Sequence, residues 1–470
     1  MEILLVAAEL APYARLTPAA DSIGSLSKAL RQLGHSVTVA LPRGAGFQGH
    51  GPLMARRLSP LVLEPGLEVT VLEGQLPSGV AIVLFDSPEL GKPLTFLDAG
   101  RESDAEGQRV ALFCRAAQAL VRERAQQNKP IDVVHAHDWP AAAVATLQRE
   151  VSGPPVLLTI HGCLEEQWFE AAAMSRLGPC VEDPGARHWD RVSPLRLGLL
   201  AAHNVTTVSS GYAQLLSQGV LSTTLSTRED SVIPVVEGVD YSTFNPATDA
   251  ALESRFDAED SSNKGRCKTA LVRSLELRLD PERPLVVALL HDATQNEREL
   301  LLAALKRLLT LDVAIAVVGA ADQTLSAALT ALRTEYPGDL GLKFSAEEGD
   351  LRRAISAADF SLTLRAHAPS AGLELLAQRY GAVPIAPNNA GIPDAVVDID
   401  AELSTGTGVL YEPASEDALV GAVQRALSAA CHARFSQLRR RVLRQDLGWD
   451  RPARRYVQLY RRLIGEASPS

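Results

Sequence analysis

The chain has few cysteines and no pattern among them. The five (Cys114, Cys163, Cys180, Cys267 and Cys431) are scattered, odd in number and without a C-x-x-C pair. That excludes a disulfide framework or a cysteine-based zinc site and fits a reducing, cytoplasmic compartment. The first apolar run, EILLVAA at residues 2–8, is short and ends at Glu9. It reads as a buried strand, not as a signal peptide or membrane span. Basic charge is not in excess: 46 Lys and Arg stand against 56 Asp and Glu, a net charge of −10. This balance favours solubility and argues against a global polyanion-binding surface, so neither nucleic acid nor membrane is an expected partner. There is no internal repeat with a period of 20–50 residues and no extended low-complexity tract.

What is present is an ordinary globular composition, 46% apolar and 22% charged, over 470 residues. One core rarely supports that length, so two domains are expected. Short apolar runs alternate with helical patterns, which predicts parallel sheets with crossover helices, an α/β fold. Expected strands are VTVAL, AIVLF, DVVHA, PVLLTI, VTTVS and SVIPVV in the first half, and PLVVALL, AIAVVG, FSLTL and AVPIA in the second. The polar, acidic stretch 246–266 reads as a linker between a first domain, 1–245, and a second, 267–445. Residues 434–462 hold ten arginines interleaved with apolar positions. Ala453, Tyr456, Val457, Tyr460 and Leu463 share one helical stripe, which reads as a buried face, with arginines on the solvated faces favoured over a nucleic-acid surface.

Two strand ends carry candidate chemistry. Asp132–Trp139 (DVVHAHDW) places Asp138 at the carboxyl end of a strand, where ligands of doubly wound sheets gather. His135 and His137 share a strand face, which leaves a metal reading open, although no further ligand cluster supports it. Thr159-Ile160-His161-Gly162 ends the next strand with another histidine, able to donate or accept hydrogen bonds.

These motifs, with the opening ELAPYARLTPAADSIGSLSKAL, resemble the bacterial glycogen synthase and plant starch synthase family over nearly the whole chain. Glu9, Ala11, Pro12, Ala14, Asp21, Gly24, Leu26, Lys28, Ala29 and Leu30 match its amino terminus in register. Val205–Ser209, Gly238–Tyr241 and Asn245–Asp249 match later motifs, while Glu237 stands where the family has Asn. The resemblance implies a GT-B fold, two facing Rossmann-like doubly wound domains with a C-terminal helix, 446–470, crossing back to the first. It also implies retaining transfer of glucose from ADP-glucose or UDP-glucose to an α-1,4-glucan, with no metal and no other cofactor. His161 and Asp138 would then be the retained sugar-site residues.

The departures from the family fall on charge and glycine. The family's K-T-G-G-L is Arg15-Leu16-Thr17-Pro18-Ala19. Its Arg and Lys after the first strand of the second domain are His291 and Asn296, beside Asp292 and Glu297. The leading Glu of its E-P-C-G-L-T loop is Ala368. Phosphate-cradling positions are expected at Gly319, Gly372, Leu373 and Gly391, and Glu374 is a candidate ribose contact. A departing nucleoside diphosphate needs cations or N–H donors. The leading expectation is therefore a catalytically impaired synthase homologue with a sugar-binding or regulatory role, acting beside an active synthase or another protein partner. Two alternatives stay open. One is an active transferase whose missing charge comes from His291, Arg15, Arg365 or Arg379, and the other is a scaffold that binds no sugar.

Overall fold

Strand β1 (Glu2–Val6) is buried at every position after Glu2, the pattern of a strand covered by helices on both faces. Successive side chains leave opposite faces of the pleat. Leu4 and Val6 enter one apolar cluster, with the helix Asp104–Gln126, while Ile3 and Leu5 enter another, with the helix Ala19–Gln32. The computed structural model describes residues 1–45, 52–91, 104–162, 166–290, 293–365, 369–412 and 415–467.

The chain divides into two units, residues 1–237 with 449–470, and residues 238–448. In the first, the strands after β1 are β2 (Ser36–Pro42), β3 (Met54–Arg56), β4 (Leu61–Glu64), β5 (Leu67–Gln75), β6 (Ala81–Asp86), β7 (Val133–His137) and β8 (Val156–Ile160). There follow β9 (Phe169–Glu170), β10 (Arg187–His188), β11 (Arg191–Val192), β12 (Asn204–Thr207) and β13 (Ile233–Pro234). The main sheet runs β13-β12-β8-β7-β1-β2-β6-β5-β3, parallel as far as β6, with β5 antiparallel to β6 and β4 pairing with β5. Leu5 lies opposite Val39 on one side and His135 on the other. The order therefore reverses beside β1, and the carboxyl ends of β1, β7 and β8 lie together there. Strands β10, β11 and β9 form a small separate antiparallel sheet.

The helix Asp450–Ala467 belongs to this first unit. Ala453, Tyr456, Val457, Tyr460 and Leu463 are buried in the cluster around Ile3 and Leu5, and the arginines at 451, 454, 455, 461 and 462 are exposed.

In the second unit the strands are β14 (Leu285–Leu289), β15 (Ala314–Val318), β16 (Leu340–Lys343), β17 (Phe360–Leu362), β18 (Val383–Pro387) and β19 (Val409–Tyr411). All are parallel, in the order β16-β15-β14-β17-β18-β19. Here the reversal lies between β14 and β17.

Residues 246–266, polar enough to read as a linker, lie within the second unit and bury Leu252 and Phe256 in its core. Much of their acidity is turn chemistry. Asp249, Asp257 and Asp260 each accept the N–H of the residue two positions on, through a side-chain oxygen. Among the described residues no helix is long and apolar enough to cross a membrane.

Candidate functional site

Asp138 follows β7 directly and has φ of 56°, in the left-handed region that Asp tolerates better than most residues. Its Oδ1 accepts the backbone N–H of His161 at 2.8 Å and that of Gly162 at 3.4 Å, tying the end of β7 to the end of β8. Burial raises the Asp138 carboxyl above its usual range, against the opposing pull of His161 and these two amides.

The His161 ring lies between two partners. Its Nδ1 is 3.2 Å from Glu237 Oε1 and its Nε2 is 3.0 Å from His137 Nδ1. Burial disfavours its charge, but the Glu237 hydrogen bond and the carboxylates of Asp138, Glu237 and Glu9 outweigh burial and raise its pKa. His137 is pushed the other way, well below the usual imidazole value, by burial and by the other two histidines. In its charged form His161 donates to Glu237 and to His137 Nδ1, and neutral His137 then carries its own proton on Nε2. That Nε2 is buried without a hydrogen-bond partner among the described residues.

His135 lies beneath, its ring centroid 4.1 Å from that of His137. Its Nδ1 is hydrogen-bonded to the Tyr460 hydroxyl at 2.7 Å and its Nε2 to the Thr159 hydroxyl at 2.6 Å. Both nitrogens are engaged, so His135 has no lone pair to give a metal. Among the described residues no group of three or more His, Cys, Asp or Glu is placed to hold a metal ion.

Glu9, buried after β1, grips the rewritten opening loop. Its Oε2 accepts the N–H groups of Leu16 and Thr17, both at 2.7 Å, and its Oε1 accepts the Thr17 hydroxyl at 2.5 Å. Pro18 then precedes the helix Ala19–Gln32 with φ of −59°, where a missing N–H costs the helix nothing. Arg15 is exposed and paired with Asp21 at 2.6 Å.

In the second unit the end of β14 leads to His291, which lies outside the described residues, as does Ala368. Asn296 is exposed in the first turn of the helix Gln295–Leu308. Glu297 is buried and completes a capping box: its Oε2 accepts the Thr294 N–H at 2.8 Å, and the Thr294 hydroxyl accepts the Glu297 N–H. A carboxylate of the chain itself therefore answers the partial positive charge of this helix start.

The expected phosphate-side positions fall at strand ends and close approaches. Gly319, after β15, has φ of 132°, and a Cβ there would lie 3.0 Å from that of Leu290. A Cβ on Gly391 would lie 2.3 Å from the Pro369 carbonyl oxygen, so only glycine lets these two loops touch. Gly372 opens the helix Gly372–Arg379, Leu373 is buried, and Glu374 is buried completely. The Thr363 hydroxyl donates to Glu374 Oε1, while Oε2 is buried without a partner among the described residues. Burial raises the Glu374 carboxyl, opposed by nearby Arg365. Arg379 is committed elsewhere: its guanidinium stacks on Tyr241, 4.0 Å from the ring centroid, and donates to Asn245 Oδ1 at 2.9 Å.

Residues 2–225 match the family model described as the starch synthase catalytic domain. The glycogen synthase of Thioalkalivibrio sulfidiphilus is 32% identical over 99% of this chain and 100% of its own length. The chain belongs to the glycogen synthase family. A second relative, the glycogen synthase of Burkholderia thailandensis, is 30% identical over 97% of this chain and 90% of its own. Among solved structures, the catalytic domain of starch synthase IV from Arabidopsis thaliana, bound to ADP and acarbose, superposes with a TM-score of 0.85. That match covers 99% of both chains at 24% identity and gives the fold as GT-B.

Within this family fold, sequence reasoning gave Asp138 and His161, which the structure joins through a hydrogen bond. It named Glu237 only as a departure from the family's Asn and did not place Tyr460 or Thr363 in a site. The signal for Glu237 was available: a carboxylate where the family has a neutral amide, in a motif that follows a strand.

Proposed function

We propose that this chain is a glycogen synthase homologue in which glucosyl transfer is lost or severely weakened and glucan or sugar binding is retained. The observation that carries the reading is the start of the helix Gln295–Leu308. There Asn296 replaces a cation of the family pattern, and Glu297 fills the helix terminus with a carboxylate of the chain itself. A departing diphosphate would meet negative charge where it needs positive. Loss of one transition-state donor commonly costs about 2.7–4 kcal/mol, enough to remove efficient turnover.

The first unit supports retained binding of a neutral sugar. Glu9, Asp138 and His161 follow the adjacent strands β1, β7 and β8, and carboxylate oxygens accept readily from hydroxyl groups. His161 is itself occupied, with one ring nitrogen toward Glu237 and the other toward His137, and both Glu9 oxygens already accept from the opening loop. Recognition in this reading therefore falls on Asp138 more than on His161 or Glu9. Gly319, Gly372, Leu373, Glu374 and Gly391 are the proposed remnant of the nucleotide side, and a cytoplasmic role beside an active synthase is part of the same proposal.

The active-transferase reading has one observation in its favour, the proximity of Arg365 to Glu374. Calorimetric titration with ADP-glucose, UDP-glucose and maltooligosaccharides separates the two. Binding of maltooligosaccharide without measurable donor binding is the expected result. Tight donor binding with chain elongation overturns the proposal.

A further inference from the structure

The small sheet of the first unit carries an aromatic group that the reading above does not use. Strands β10 and β11 pair His188 with Arg191, which leaves Trp189 and Asp190 at the hairpin tip. Trp189 has φ of 54°, a left-handed conformation strained for a bulky side chain, and is 84% exposed. The chain thus holds an indole in an unfavourable backbone state and gains little burial in return. Retained strain of this kind is a reason to look for a ligand.

The indole is not isolated. The His188 ring meets Trp189 edge-on at 6.3 Å between centroids and meets Trp168 in the same manner at 5.9 Å. Trp168 is backed by the Arg196 guanidinium, 5.2 Å from its ring, and Glu166 holds that guanidinium through two hydrogen bonds. The rim is polar but balanced in charge: Arg187 pairs with Glu182 and lies 3.6 Å from Asp190, and a second cation, Arg191, donates to the Trp168 carbonyl. Beneath the surface the patch shares an interior with the candidate sugar site: Phe169, next to Trp168, packs on Trp139 at 5.7 Å, both rings buried, and Trp139 directly follows Asp138.

We propose that Trp189, with His188 and Trp168 behind it, is a stacking platform for an α-1,4-glucan chain, an outer subsite beyond the Asp138–His161 site. The choice of ligand rests on the glucan-binding reading above. One face of a pyranose ring presents C–H groups and lies flat on an indole, while its hydroxyls point outward to a polar rim. A charge-balanced rim suits a neutral polymer and gives a polyanion no advantage. A polymer long enough to touch both places at once would bind more tightly than through either contact alone.

The test is affinity electrophoresis of the purified full chain in gels containing glycogen, with Trp189→Ala, Trp189→Phe and Asp138→Ala alongside. Trp189→Ala is expected to weaken glycogen retention about tenfold, equivalent to roughly 1.4 kcal/mol, and Trp189→Phe to keep most of it. Tryptophan fluorescence of the unmodified protein is expected to shift on adding maltoheptaose, with that shift diminished in Trp189→Ala. Equal retention by Trp189→Ala overturns the platform; if Asp138→Ala then loses binding, the inner-site reading survives. Loss in Trp189→Ala with none in Asp138→Ala supports the platform and overturns the inner site. Failure of the unmodified protein to bind glycogen overturns both. A concentration-dependent dimer in sedimentation that Trp189→Ala abolishes overturns the platform by assigning the patch to a second copy.

Discussion

Replacing Glu237 by glutamine removes the carboxylate facing His161 while preserving shape and a hydrogen-bonding end. The pair is nearly closed to solvent, with side chains 8% and 11% exposed, and its atoms are 3.2 Å apart. At an effective dielectric near 20, unit charges at that distance attract by roughly 5 kcal/mol. Burial of His161 offsets part of this, so the net loss on breaking the pair is about 3–5 kcal/mol. Because the folded-state pKa of His161 is raised, its contribution to stability is fully present below the unfolded value of 6.5 and is lost as pH rises through the folded value. Glu237→Gln should therefore destabilise most near pH 6. As the pH is raised through the folded value toward 9 and the ring loses its charge, the deficit should shrink by at least about 1 kcal/mol. Urea unfolding at the two pH values measures this, and an NMR titration of the histidines should show His161 moving downward. An equal deficit at both pH values would refute the assignment of a charged His161.

Four further outcomes follow from the same contacts. Tyr460→Phe removes the hydrogen bond to His135 in a buried setting and should cost about 1–3 kcal/mol in denaturant unfolding. His135 and His137 have lowered pKa values, so the stability that depends on their neutrality is present above 6.5 and lost as pH falls; the melting temperature should drop between pH 6.5 and 5, and less steeply in His137→Gln. Glu297→Ala breaks the capping box and should cost about 1 kcal/mol by thermal unfolding, while weakening repulsion of any added nucleoside diphosphate. Gly391→Ala places a methyl against the Pro369 carbonyl and should destabilise by about 1–3 kcal/mol.

The parallel strands were legible because each is a short unbroken apolar run. Strands β2, β7, β8, β14 and β15 are buried at most or all of their positions, and continuous hydrophobicity is their signature. Strand β5 was not legible, because LEVTVLEGQ is an antiparallel strand with one wet face, and its glutamates and glycine interrupt the run. SVIPVV promised more than it delivers, since only Ile233 and Pro234 pair in the sheet. Polarity misrepresented 246–266, where aspartates make turns around two buried apolar anchors. At the site, strand-end motifs gave Asp138 and His161, whereas Glu237 and Tyr460 arrive from 76 and 325 residues away in hydrogen bonds that no local pattern announces.

The most direct measurement is incorporation of labelled glucose from ADP-glucose and UDP-glucose into glycogen by the purified chain, beside the variant Arg15→Lys, His291→Arg, Asn296→Lys, Ala368→Glu. The account predicts incorporation at the level of the blank for the unmodified protein, with measurable donor affinity appearing in the variant. Steady chain extension by the unmodified protein, free of contaminating synthase, would contradict it.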